Sequence, residues 1–380
     1  MEKEKYILKV EPITCVHIGN GDELTPLDYM LVKSKQYVVY DSDVILQQIA
    51  GNKEKFTIFD RASTSNNMIK LQDFFHNEIL PNNDTNRFNY GALKYLCHVT
   101  KEFAENYNHN EKTDPLENGR FVQQMYHNER TGQPVIPGSS LKGSIRTAIL
   151  NGLLDEYTMV SNLKNLKDDK MQKELLGKYK DAKQDPFRAV EIADCSFEGK
   201  GTQMVGLIKN VKKGKDNELE EHNTSTLQAE VIKGELCSKE TSVLGIANMR
   251  LNSELTRIEL PEKVISKKIT KEVIIKSCNS FYLKTFKEDY NKFYKDAVDK
   301  VDSITQLHKK LKEIADPQIN PQTNSFIIKV GRWSQVEYVT YGHDFRNPKA
   351  KKGWGGTRWL FNNDGQYLPL GWCKCTIEET

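Results

Sequence analysis

Apolar and β-branched residues crowd two runs near the start of the chain, 6–18 and 29–41, on either side of a Gly-Asn-Gly segment. This predicts two strands joined by a glycine loop. From 44 to about 126 the pattern turns polar and helical. MIKLQDFFHNEIL and FNYGALKYLCHVTKEFAENY space their apolar residues at three and four, which predicts a helical insertion. In PVIPGSSLKGSIRTAIL (134–150) a Pro-Gly turn and two serines precede a four-residue repeat of Leu141, Ile145, Ile149 and Leu153, one buried stripe of an amphipathic helix. Segment 164–184 is dense in lysine and acid and predicts an exposed connection. DPFRAVEIADCSF then resumes a strand pattern, and MVGLIKNVKKGKDNELEEHNTSTLQAEVIKGEL reads as two strands around a charged tip. Residues 281–315 repeat apolar positions at helical spacing without proline, predicting one long helix or two stacked ones. Strands are predicted again at 325–330, 336–341 and 367–377. Strands, helix and strands in each half suggest an α+β protein of two units, 1–222 with the insertion and 223–380.

Composition narrows the partners. With 55 Lys+Arg against 52 Asp+Glu the net charge is only +3, so any nucleic-acid signal has to be local. No apolar run reaches bilayer length and residues 1–5 are charged, so the expectation is a cytoplasmic protein with no membrane partner. Seven cysteines without a C-x-x-C pair argue against a disulfide framework and a zinc ribbon, and Cys373 and Cys375 read as strand alternation.

Two windows concentrate cations. Between Glu129 and Asp155 there is no acid, while Arg130, Lys142 and Arg146 are present. Lys142 and Arg146 lie four apart in the first turns of a helix, where like charges cost about 0.2–0.5 kcal/mol and the dipole disfavours cations. A phosphate between them reverses that sign, and a helix start behind Gly138 offers free N–H groups to an anion. An ordinary turn, cap and solvated cationic face fits the same residues equally well. The second window, 345–363, interleaves Arg346, Lys349, Lys351, Lys352 and Arg358 with Trp354 and Trp359, next to Gly355 and Gly356. Cations for phosphates and flat rings for bases suit single-stranded RNA. A charged loop flanking a strand is the alternative. Catalytic signals are poorer: His17 stands alone, no Ser-His-Asp or metal-spaced cluster is present, and Asp28 runs straight into a strand and reads as structural.

Taken together, HIGNG, IPGSSLKGSIRTAIL, DPFRAVEIADCSF and GWGGTRWL…PLGWCKC resemble the RAMP superfamily of CRISPR RNA-binding proteins, in order over most of the chain. The resemblance implies two ferredoxin-like (RRM-like) RAMP domains and a non-catalytic role without cofactor or metal. It implies a subunit that caps the filament of repeated RAMP backbone subunits in a type III-A Csm complex. That subunit sits at the 3′ end of the CRISPR RNA and aids crRNA maturation. The implied partners are CRISPR RNA, other Csm subunits, target RNA and recruited host ribonucleases. Matched motif by motif, Gly138, Ser139, Ser140, Lys142, Gly143 and Arg146 line the RNA path with His17, Gly19 and Gly21. Arg188 joins them, Lys212 and Lys213 belong to a thumb-like hairpin tip at 209–215, and Lys352, Trp354, Gly355, Gly356 and Arg358 form the C-terminal contact. Asp28 sits where the related cleaving subunit carries its aspartate, but the surrounding residues differ from that glycine-flanked loop. The alternatives are a metal-independent RAMP endoribonuclease using His17 on precursor RNA, and a protein scaffold.

Overall fold

A computed structural model describes residues 4–110, 113–116, 120–156, 168–176, 182–199, 201–222, 226–237, 243–252, 258–259, 266–297, 301–339, 341 and 355–380. Two large sheets organise these residues. The first runs, in spatial order, Ser325–Lys329, Trp372–Glu379, Glu4–Pro12, Gly245–Leu251, Cys195–Phe197 and Val135–Ile136, with Val190–Ile192 also paired to Gly245–Leu251. Its pairs are antiparallel. Period-two burial shows why these segments are strands: Tyr6, Leu8 and Val10 point inward from one, and Ala247, Met249 and Leu251 from its neighbour. Cys373 and Cys375 alternate as the sequence predicts, buried and free.

Two helices cover this sheet, Gly138–Glu156 and Lys271–Asp289. Leu141, Ile145, Ile149 and Leu153 are all buried in the core between them and the strands, as their spacing requires. The helical pattern of 281–315 resolves into two helices: Lys271–Asp289 ends in a wider turn at Tyr290–Tyr294, and a second helix follows at Asp302–Ala315.

The second sheet runs Gly19–Leu24, Val122–Met125, Leu227–Ile232, Gln203–Lys213, Leu93–Val99, Gln36–Tyr40 and Tyr29–Val32. The far half of the long strand Gln203–Lys213 pairs with Thr357–Asn363 instead.

Several expectations are corrected. The division at 222/223 is not where the sheets part: Glu4–Pro12 hydrogen-bonds to Gly245–Leu251 and Trp372–Glu379, and Gln203–Lys213 to Thr357–Asn363. Local patterning sees strands but not their long-range partners, so it splits an interleaved fold at its most polar hairpin. The segment 44–126 is not wholly helical. Helices occupy Ser42–Ile49, Lys53–Thr64, Met68–Ile79 and Lys101–His109, but Leu93–Val99 and Val122–Met125 are strands of the second sheet. Leu93, Tyr95, Cys97 and Val99 alternate at period two, a signal masked by the helices on either side. The Gly-Asn-Gly segment is itself a strand, irregularly paired with Val122–Met125. Val336–Val339 is a short helix rather than a strand. In 164–184, the described helix Asp168–Leu175 buries Met171 and Leu175, so this part is core and not an exposed connection.

Candidate nucleic-acid interface

Three chain segments that leave the first sheet are tied together by their backbones. Gly371 N–H donates to the Cys15 carbonyl at 2.8 Å, Val330 N–H to Gly371 at 2.9 Å, and Arg332 N–H to His17 at 2.9 Å. The approach is so close that only glycine fits at 331. Its φ is +92°, and a Cβ there would lie 2.3 Å from the His17 carbonyl oxygen. A fourth wall comes from helix Gly138–Glu156, whose Ser144 hydroxyl donates to the Lys329 carbonyl at 3.0 Å. A cleft of about 550 Å³ is lined by residues of 18–21, of 329–339 and of the first turns of this helix.

Gly19, Gly21, Ser140 and Gly143, four of the residues expected on the RNA path, line this cleft. The rest of its wall holds residues that sequence reasoning missed: Lys329, Gly331, Arg332 and Ser334. The run KVGRWS carries the signal, a cation on each side of a glycine followed by an aromatic and a hydroxyl. It is hidden because it continues an apolar strand. The described lining contains two cations, several hydroxyls and glycines, and no carboxylate. Arg332 stacks its guanidinium 5.0 Å from the Trp333 ring and donates to Gln123. Lys329, also in the lining, is buried, and burial pulls its ammonium down to about 7 against the opposing fields of Asp289 and Glu337.

The other expected residues are placed differently. His17 lies behind the cleft wall, fully buried, with Nδ1 on the Glu230 carbonyl at 2.7 Å. Desolvation lowers it to about 4, which makes the ring a wall component and not a solvent-facing acid or base. Gly138 opens its helix, but its N–H already donates to Asp194 Oδ1 at 2.8 Å, and a Cβ there would meet the Ile192 carbonyl at 2.0 Å. Ser139 beside it is exposed. Lys142 is partly buried, which holds its ammonium below the usual lysine range, with Asp185 and Glu191 opposing the shift. Arg146 finds its counter-charge within the chain: Nη1 donates to Asp185 Oδ2 at 2.8 Å, and the guanidinium lies 4.9 Å from the Phe187 ring. Phosphate is therefore not the only anion available to the Lys142–Arg146 pair.

Arg188 is exposed and donates to the Lys183 carbonyl at 2.6 Å. On the hairpin, Lys212 pairs with Glu220 at 3.0 Å and Lys213 with Asp296 at 3.7 Å. Gly355 and Gly356 are exposed and lie outside the cleft lining, while Lys352 and Trp354 fall outside the described residues. Arg358 is a correction. It is 2% exposed and gives two hydrogen bonds to Asp289 Oδ1, at 3.0 and 2.7 Å, so its charge is spent inside the fold. Asp28 accepts from the Thr25 N–H and hydroxyl at 2.9 and 2.8 Å, the structural role its context predicts. Among the described residues no cluster of His, Cys, Asp or Glu is placed to hold a metal, and no helix is long and apolar enough to cross a membrane.

Comparison with known proteins gives the family and the fold. The family model of the RAMP superfamily matches residues 9–364. The CRISPR system Cms protein Csm5 of Enterococcus italicus is 26% identical over 156 residues, 39% of this chain. The match spans 44% of that relative's length. Among solved structures, a chain of a type III-A Csm–crRNA–target RNA ternary complex aligns over 99% of this chain and 100% of its own, with TM-score 0.61 and 16% identity. The crystal structure of T. onnurineus Csm5 aligns over 96% of this chain and 99% of its own, with TM-score 0.60 and 17% identity. At these identities the structural matches establish the shared fold.

Proposed function

Because the chain belongs to the RAMP superfamily, we propose that it is a non-catalytic RNA-binding subunit of a type III-A CRISPR Csm complex. In this reading it holds the CRISPR RNA near its 3′ end, caps the filament of repeated RAMP backbone subunits and aids crRNA maturation. The observation that carries the reading is the cleft, where two glycine segments, one helix start, Lys329 and Arg332 face a space whose described lining has no acid. A phosphodiester needs donors and cations at close range and is repelled by carboxylates, so this lining suits an RNA backbone. The likeness to Csm5 proteins supports the complex, and with it the CRISPR RNA, target RNA and neighbouring Csm subunits as partners. Recruited host ribonucleases and a cytoplasmic location complete the reading. Its structural counterpart is that the two sheets are two ferredoxin-like (RRM-like) units whose strands have interleaved, with the helices at 42–79 as the insertion. His17, buried and shifted to about 4, favours binding over metal-independent cleavage.

Titrating the full chain with labelled single-stranded RNA over a range of salt concentrations tests the reading. Counterion release predicts that log affinity falls with log salt by about 0.7 per contacted phosphate. Arg332→Ala is expected to weaken binding and reduce that slope by about 0.7. A folded Arg332→Ala protein with the affinity and slope of the parent would remove the cleft from the RNA path.

A further inference from the structure

Lys329 occupies an uncommon position for a lysine. It is 2% exposed, its Nζ lies 4.1 Å from the Tyr338 ring centroid and 5.4 Å from that of Trp372, and it belongs to the cleft lining. Two ring faces stabilise an ammonium, but they replace only part of the water it gives up. The nearby carboxylates are already engaged. Asp289 accepts from Arg358 and from the Tyr338 hydroxyl, the latter at 2.9 Å, and Glu337 accepts from the Gly355 N–H at 3.3 Å and lies 4.0 Å from Arg358. A leucine or methionine would fill this place without the desolvation penalty, so the charge calls for a function beyond packing.

We infer that Lys329 Nζ is the deepest phosphate ligand of the cleft, receiving one phosphate of a bound RNA while Arg332 holds the strand at the rim. The inference rests on the reading that the cleft holds RNA, and it adds a regulation of that site. Among the described residues, the charged or titratable groups around Lys329 are Asp289, Glu337, Tyr338 and Arg358, with Arg332 at the rim. Tyr282, Tyr294 and Tyr338 are pushed far above the usual tyrosine value by burial and stay protonated. Burial lowers Lys329 to about 7, and a phosphate favours its charged form. Binding above that pH therefore takes up a proton, and affinity falls by up to about tenfold per pH unit.

The test is the affinity of the full chain for a fluorescein-labelled single-stranded RNA, at constant ionic strength, from about pH 6 to pH 9. The parent protein should bind with nearly constant affinity below pH 7 and weaken above it. Lys329→Met should lose at least about tenfold at pH 6 and show no slope above pH 7, with its thermal melt confirming the fold. Lys329→Arg, charged throughout, should bind at pH 9 without the slope. Glu230, raised by burial to about 7 behind His17, is the control, and Glu230→Gln should keep the slope. If Lys329→Met keeps the parent's affinity and slope while Arg332→Ala is weakened, RNA occupies the cleft and Lys329 is not its ligand. If Arg332→Ala is also unchanged, the cleft reading falls and takes this inference with it.

Discussion

Arg358 carries a guanidinium into the interior, where Asp289 accepts two of its N–H groups and the Gly355 and Thr357 carbonyls accept more at 2.7 and 2.9 Å. Removing one partner of such a pair leaves the other buried and uncompensated, at about 3–5 kcal/mol. Arg358→Met is therefore expected to lower unfolding free energy by about that amount in a urea titration. Lys329→Met should act in the opposite direction, because the described carboxylates nearest Lys329, Asp289 and Glu337, are engaged by Arg358. Two groups make contributions of opposite sign to the pH dependence of stability. Glu230 is raised from 4.5 to about 7, so between those values the folded state holds a proton that the unfolded state has lost, and stability falls as pH rises. Lys329 is lowered from 10.5 to about 7, so above 7 the unfolded state holds the extra proton and stability rises again. His17, His76 and His308, lowered by burial to about 4, act against Glu230 on the acid side, since between about 4 and 6.5 their unfolded forms hold the extra protons. Relative to the parent, Glu230→Gln should therefore remove a fall in stability between pH 4.5 and 7, and Lys329→Met a rise above pH 7, read from urea titrations across pH. In the sequence Arg358 is indistinguishable from an RNA-binding arginine beside tryptophans, since its partner Asp289 lies 69 residues away. Lys329 is hidden for the opposite reason, sitting at the end of an apolar strand that reads as plain core.

The elements around the cleft gain their geometry from short backbone contacts. Helix Gly138–Glu156 is legible in the sequence because its apolar stripe repeats every four residues, and a helix records its own periodicity locally. Its Asp194 contact is not legible, because the acid arrives from another strand connection, DPFRAVEIADCSF. Gly331 is the narrowest point. Gly331→Ala places a Cβ against the His17 carbonyl in a backbone conformation that disfavours side chains, so segment 330–332 has to move away from the 15–18 segment. The expected outcome is an RNA affinity reduced at least as far as in Arg332→Ala, with the cooperative thermal transition retained. Parent-like binding by Gly331→Ala would show that the spacing of these segments does not position the RNA.

Across the whole molecule, the fold closes through contacts between the two ends of the chain. The strand Glu4–Pro12 lies between Trp372–Glu379 and Gly245–Leu251, and Cys15 and His17 accept from Gly371 and Arg332. Residues 1–222 alone would lack both neighbours of their first strand, so that fragment is expected to show no cooperative unfolding transition by circular dichroism. An independently folding fragment would restore the sequential two-unit division. The strands, main helices and glycine segments are readable one by one, yet the cleft forms only when residues near 20, 140 and 330 meet, and no local pattern records that meeting. The most direct measurement is photocrosslinking of CRISPR RNA within the assembled Csm complex, followed by peptide mapping. The account predicts crosslinks from the RNA's 3′ region to 138–147 and 329–334 of this chain. RNA crosslinked only to the other subunits, with those peptides unmodified, would contradict it.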